Sequence, residues 1–232
     1  MHNLGTVAFD RMVVSASAPG KALSAPLGWL VVLLIGAPLA SLAQSDLRNT
    51  FPGRRIGGGT RGECSARLIA HLVPNTSVFA PGASATIGLL EGPTAQPRPL
   101  QLSFRPLSSA GTAAKAQAST TTRDLPAAPM GVVLIKVAPI KIATIWESAY
   151  RCDESGAKAS ADGLDFVQTA SPPAVSLLVS DAQRDDKAIE AALKQLRAQC
   201  GNTVATAELV KSFGVADVIT AEWPQQLPVR CP

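Results

Sequence analysis

The apolar residues of this chain change their period near residue 180. Before that point they alternate. In 66–73 Leu68, Ala70 and Leu72 oppose Arg67, Ile69 and His71, and in 100–105 Leu100, Leu102 and Phe104 oppose Gln101, Ser103 and Arg105. From Ile140 to Cys152 one parity carries Ile142, Thr144, Trp146, Ser148 and Tyr150. A period of two is what a strand needs to turn one face to a core, so Trp146, Tyr150 and Cys152 are expected to point inward together. After Gln183 the spacing becomes helical: Ile189, Leu193, Leu196 and Cys200 recur at three or four residues. Asp185 and Asp186 sit at the positive end of that helix and Lys194 and Arg197 at its negative end, with Gly201-Asn202 as the stop. A second helix is expected over 204–213, ended by Gly214, and a turn or third helix over 216–223, stopped by Pro224. Strands first and helices afterwards predict an α+β chain. Its core is expected to be a mainly antiparallel β-sandwich, immunoglobulin-like, followed by two or three short C-terminal helices whose apolar stripes cover a sheet. Tyr150 two residues before Cys152 resembles the tyrosine corner of such sandwiches.

The domain reading follows the same cues. Residues 1–43 are expected to be a signal peptide: Lys21 precedes an apolar run from Leu27 to Leu39, and Ser41 and Ala43 fit the small-residue cleavage positions. Gly28, Gly36 and Pro38 interrupt the run, which is too short for a membrane span, so no span is expected once the signal is removed. Met12 is an alternative start. Residues 44–62 are read as a Gly/Arg-rich lead-in without periodicity, extended or disordered. Residues 63–180 form the β-rich domain, with a low-complexity loop at 108–128 that has almost no large apolar side chain. Residues 181–232 are the C-terminal helical segment packed on the sheet. The expected location is periplasmic or secreted.

Export makes sense of the cysteines. Cys64, Cys152, Cys200 and Cys231 are an even set with no C-x-x-C spacing, so they are read as two structural disulfides and not as metal ligands. Cys64 opens the first strand and Cys152 ends an inward-facing one, so these are expected to pair. Cys200 ends the first helix, and Cys231 is expected to tie the tail back to it.

No residue is assigned to catalysis, a metal or a cofactor. The block Gly53 to Cys64, GRRIGGGTRGEC, has no Lys-Ser/Thr and no following helix, so it is not a nucleotide loop. Arg54, Arg55 and Arg61 are its candidates for docking an anion or an anionic partner surface. They are otherwise expected to be exposed, so that changing all three to Gln leaves the melting temperature nearly unchanged. His71, the only histidine after the signal, is expected at the surface. Asp185-Asp186 is read as a solvated cap. The net charge of +4 is too small and too scattered for a nucleic-acid footprint, and 4% aromatics offer little stacking surface.

The order of signal, Gly53-Arg54-Arg55, Gly58-Gly59-Thr60-Arg61-Gly62-Glu63-Cys64 and the strand Leu68 to Pro74 resembles an exported family known from cyanobacteria as domain of unknown function 928. The strand ending WESAYRC and the C-terminal helices near a Trp are similar too. This chain departs from that family in lacking its aromatic-rich middle, and the resemblance implies no catalytic residues. The function expected is an exported, non-catalytic binding or adaptor module for an unknown envelope protein or anionic surface. The alternative is a hydrolase or ligand-processing enzyme whose site is assembled from distant loops.

Overall fold

The computed structural model describes residues 47–58, 67–107, 120–151 and 172–232, all of them in the compact unit Pro38–Pro232. Two mixed sheets pack face to face. The first contains β1 (Ile56–Gly57), β2 (Ile69–His71), β4 (Thr86–Glu91), β7 (Gly131–Lys136), β11 (Gln226–Arg230) and β10 (Thr203–Ala205), in that spatial order. The second runs β3 (Val78–Phe79), β9 (Ala174–Leu178), β8 (Thr144–Tyr150), β5 (Leu100–Pro106) and β6 (Thr121–Leu125). Most pairs are antiparallel, but β11 joins β7 and β3 joins β9 in parallel.

The strand faces follow the expected parity in β8, whereas β2 is buried at every position. In β8, Trp146, Ser148 and Tyr150 are buried, while Glu147 and Ala149 are partly exposed. Strand β4 is buried at every position because it has a sheet on one face and a helix on the other. That helix is α1 (Arg184–Ala198), which buries Ile189, Leu193 and Leu196. It lies so close to β4 that a Cβ on Gly88 would come within 2.6 Å of the Leu193 side chain. Helix α2 (Thr206–Phe213) adds Leu209 and Phe213 to the same core and ends at Gly214, which is left-handed with φ 59°. Residues 216–223 form turns and no third helix.

Three expectations are corrected and a fourth is not confirmed. Within the segment 44–62, the described residues 47–58 are not a structureless lead-in. Residues 47–50 are helical, Arg54 bridges Val175, and β1 pairs with β2, so 47–58 straps one sheet to the other. Leu47 and Phe51 cover a second small core of Val78, Ala80, Ile145, Leu177 and Val179. The strap leaves no room for side chains where it crosses: a Cβ on Gly57 would lie 2.3 Å from the Ala174 nitrogen. Residues 121–125 of the low-complexity stretch are not loop but edge strand β6, held by full pairing with β5; threonines with few apolar neighbours suffice where one face is wet. The C-terminal segment is not only helical: β10 and β11 complete the first sheet, their alternation (Leu227 and Val229 buried) spanning just two inward residues. Finally, the immunoglobulin-like connectivity is not confirmed. The Tyr150 hydroxyl donates to the Leu68 carbonyl, 82 residues upstream, at 3.3 Å.

Cys200 and Cys231 form a disulfide with Cα atoms 5.8 Å apart, tying the end of α1 to the residue after β11. It closes 31 residues of sequence, and on loop-closure grounds it stabilises the fold by roughly 4 kcal/mol. The pairing expected between Cys64 and Cys152 lies outside the described residues.

Candidate functional site

The arginines of the glycine block part company. Arg54 is exposed, Arg55 is 8% exposed, and Arg61 lies outside the described residues. The Arg55 guanidinium donates to the carbonyls of Phe213 (2.8 Å), Gly214 (2.7 Å) and Val73 (3.3 Å). It thereby satisfies the carbonyls left open at the C-terminus of α2, where a cation is also favoured by the helix dipole. Desolvation lowers its pKa, and nearby Asp217 partly offsets this. The expectation of three exposed arginines therefore fails at Arg55, whose donors are already used inside the protein. Arg55→Gln is expected to lower unfolding free energy by about 1.5–3 kcal/mol, against less than about 0.5 kcal/mol for Arg54→Gln. Equal urea midpoints for the two variants would contradict this placement.

His71 is also a correction. It is fully buried between the sheets, not at the surface. Its Nδ1 lies 2.8 Å from Ser176 Oγ and its Nε2 2.8 Å from Ser148 Oγ, and its ring stacks on Trp146 with centroids 3.5 Å apart and planes within 7°. A neutral imidazole offers one donor and one acceptor, and two hydroxyls that each can do either satisfy both. Strand pairing explains the inward turn: His71 sits opposite Leu89 on β4, so it shares that strand's inter-sheet face. Such a Ser–His contact resembles a nucleophile and its base, yet neither serine nor histidine has any exposure to a substrate. Its physical role is to join β2, β8 and β9 across the sandwich.

Burial without a charged partner depresses the His71 pKa well below its usual value near 6.5. The unfolded chain takes up a proton near pH 6.5 and the folded chain does not. Stability is therefore complete above that value and declines as the pH falls below it toward the folded pKa, by at most about 1.4 kcal/mol per pH unit. Between pH 6.5 and 5, above most carboxylate titration, His71→Gln should flatten this slope in urea unfolding; an unchanged slope would place the titration elsewhere.

The other charged groups inside the fold form two clusters. Asp186 is fully buried, which corrects the solvated reading, although its capping role stands. Its Oδ2 accepts from the Gln183 backbone at 2.7 Å and pairs with Arg48 Nη2 at 2.7 Å, while Oδ1 accepts from Ala80 N at 3.1 Å. Arg48 donates as well to the Asp181 carbonyl. One carboxylate thus pins the strap and β3 to the start of α1.

The second cluster lies between the sheets at one end of the sandwich. Glu91, at the end of β4, is fully buried and meets Arg230 of β11 at 2.7 Å and Arg67, just ahead of β2, at 2.9 Å. The Arg67 guanidinium carbon stands 4.6 Å over the Tyr150 ring and its Nε donates to the Gly92 carbonyl at 2.8 Å. Burial and then Glu91 push the Tyr150 pKa up, so the phenol stays protonated. Sequence reasoning missed this cluster. The signal was parity: Arg67 and Glu91 each share the alternation of Ile69 and Leu89, which are inward positions. Among the described residues no group of three or more His, Cys, Asp or Glu is placed to hold a metal ion. No helix among them is long and apolar enough to cross a membrane. No known protein family, curated protein or solved structure matches the chain.

Proposed function

We propose that this chain is an exported, non-catalytic binding or adaptor module acting in the periplasm or outside the cell, on a partner that carries negative charge. The observation that carries this reading is the Arg67–Glu91–Arg230 cluster, in which two guanidinium groups share one carboxylate at an end of the sandwich. Export is supported by the signal-like residues 1–43 and by the Cys200–Cys231 disulfide, a bond that persists in oxidising compartments. The non-catalytic reading is supported by the burial of His71, Ser148 and Ser176, which removes the most enzyme-like contact from solvent. Kinship with the exported cyanobacterial family is proposed on Gly53 to Pro74, where Gly57 and Arg55 have the structural duties described above. Incubating the mature protein with ester, phosphoester and glycoside substrates should yield no turnover above a heat-inactivated control. Sustained turnover that survives repurification would replace this reading with the hydrolase.

A further inference from the structure

The charges of the Arg67–Glu91–Arg230 cluster do not balance: two cations meet one anion. Nor do its hydrogen bonds. Arg67 Nη2 is within ion-pair distance of Glu91 Oε2 but is not aligned for a hydrogen bond, and Arg67 Nη1 and Arg230 Nε are buried with no acceptor among the described residues. Charged donors taken out of water without acceptors are among the costliest groups a fold can hold. The Tyr150 ring offsets part of that cost at Arg67 through its π face, but it accepts no N–H in the guanidinium plane. The Arg230 side chain keeps 29% of its exposure, so the cluster meets solvent there, while Arg67 is 6% exposed behind it. Arg123 of β6, across the same end of the sandwich, donates to the Pro232 carbonyl at 3.1 Å and adds a third guanidinium to this end.

We propose that this cluster is a binding site for a small oxyanion, a carboxylate or phosphoryl group presented by the ligand. The inference rests on the binding-module reading and specifies its site. An oxyanion at the exposed part of Arg230 would supply the missing charge next to the donors that Glu91 leaves unsatisfied. The planar, forked donors of arginine match two oxygens on one atom and match chloride poorly. The glycine block is the weaker location, because both terminal nitrogens of Arg55 already donate to carbonyls.

The test is calorimetric titration of the mature protein with inorganic phosphate and, separately, with acetate, at an ionic strength held constant with sodium chloride. At least one oxyanion is expected to bind saturably, with Kd of about 1 mM or tighter. Arg230→Gln should weaken that binding at least about tenfold, the loss expected for one charge-assisted hydrogen bond. Arg230→Lys, which keeps the charge and lacks the fork, should weaken it as well, and Arg54→Gln should leave it unchanged. Binding of phosphate alone assigns the site to phosphoryl ligands, and binding of acetate alone to carboxylates. No saturable binding of either anion to the folded wild type overturns the proposal, as does undiminished binding by folded Arg230→Gln or Arg230→Lys. If neither variant folds, the wild-type titration still decides. Failure here removes the negatively charged partner from the reading but leaves the exported, non-catalytic module, which falls separately, on turnover in the substrate screen.

Discussion

Glu91→Ala is expected to lower the unfolding free energy by about 3–5 kcal/mol at neutral pH. The carboxylate is fully buried and is the only acidic group that meets both Arg67 and Arg230 among the described residues. Without it two guanidinium groups held a few ångströms apart lose their counter-charge, and Arg67 has almost no access to water. Most of the loss therefore comes from stranded cations, not from a lost attraction, and a second change tests that account. Adding Arg230→Met to Glu91→Ala removes one of the two cations and should recover part of the deficit in urea unfolding. A deficit below about 1 kcal/mol for Glu91→Ala, the range of solvent-exposed pairs, would mean the cluster is hydrated.

Trp146→Ala should be comparably damaging, at about 3–5 kcal/mol, because it opens a cavity in the middle of the sandwich. Trp146 is fully buried, stacks on His71, and lies 6.5 Å centroid to centroid from Phe104. Its removal also exposes one face of the imidazole to the void, so the network through Ser148 and Ser176 loses its support. Trp146→Phe should behave differently. The indole Nε1–H is buried without an acceptor, and phenylalanine deletes that donor while keeping a stacking ring. The deleted donor offsets part of the smaller cavity, and the expected cost is no more than about 2 kcal/mol. Similar urea midpoints for the Ala and Phe variants would show that ring stacking contributes little here.

What could be read before folding depended on whether a residue's environment is set by its neighbours in the chain. The strand at 144–150 and the helix at 184–198 were legible because each carries a sustained period over several residues. Of the Cys200–Cys231 bridge only the Cys200 end was set by such an element, the helix it closes; Cys231 was read as a tail tied back to it, because β11 before it is too short to show a period. Strands β1, β3 and β10 were not, since two or three residues contain no period to detect. Strand β6 was hidden for another reason: Thr121 to Leu125 has little apolar content and is a strand only because β5 pairs with it.

The site shows the same division more sharply. Alternation by itself determined that a two-faced β structure would be followed by amphipathic helices, because side-chain direction along a strand or helix is a local geometric fact. It also determined that Arg67 and His71 share a face with Ile69. Whether that face was wet depended on a second sheet arriving over it, and on strands β8, β9 and β11 from distant parts of the chain. Only the tertiary structure decided that His71 would meet Ser148 and Ser176, that Arg55 would close α2, and that Arg67 and Arg230 would share Glu91. Each of these contacts joins residues between 18 and 159 positions apart, and over such separations it is packing, not sequence spacing, that selects a charged group's partner.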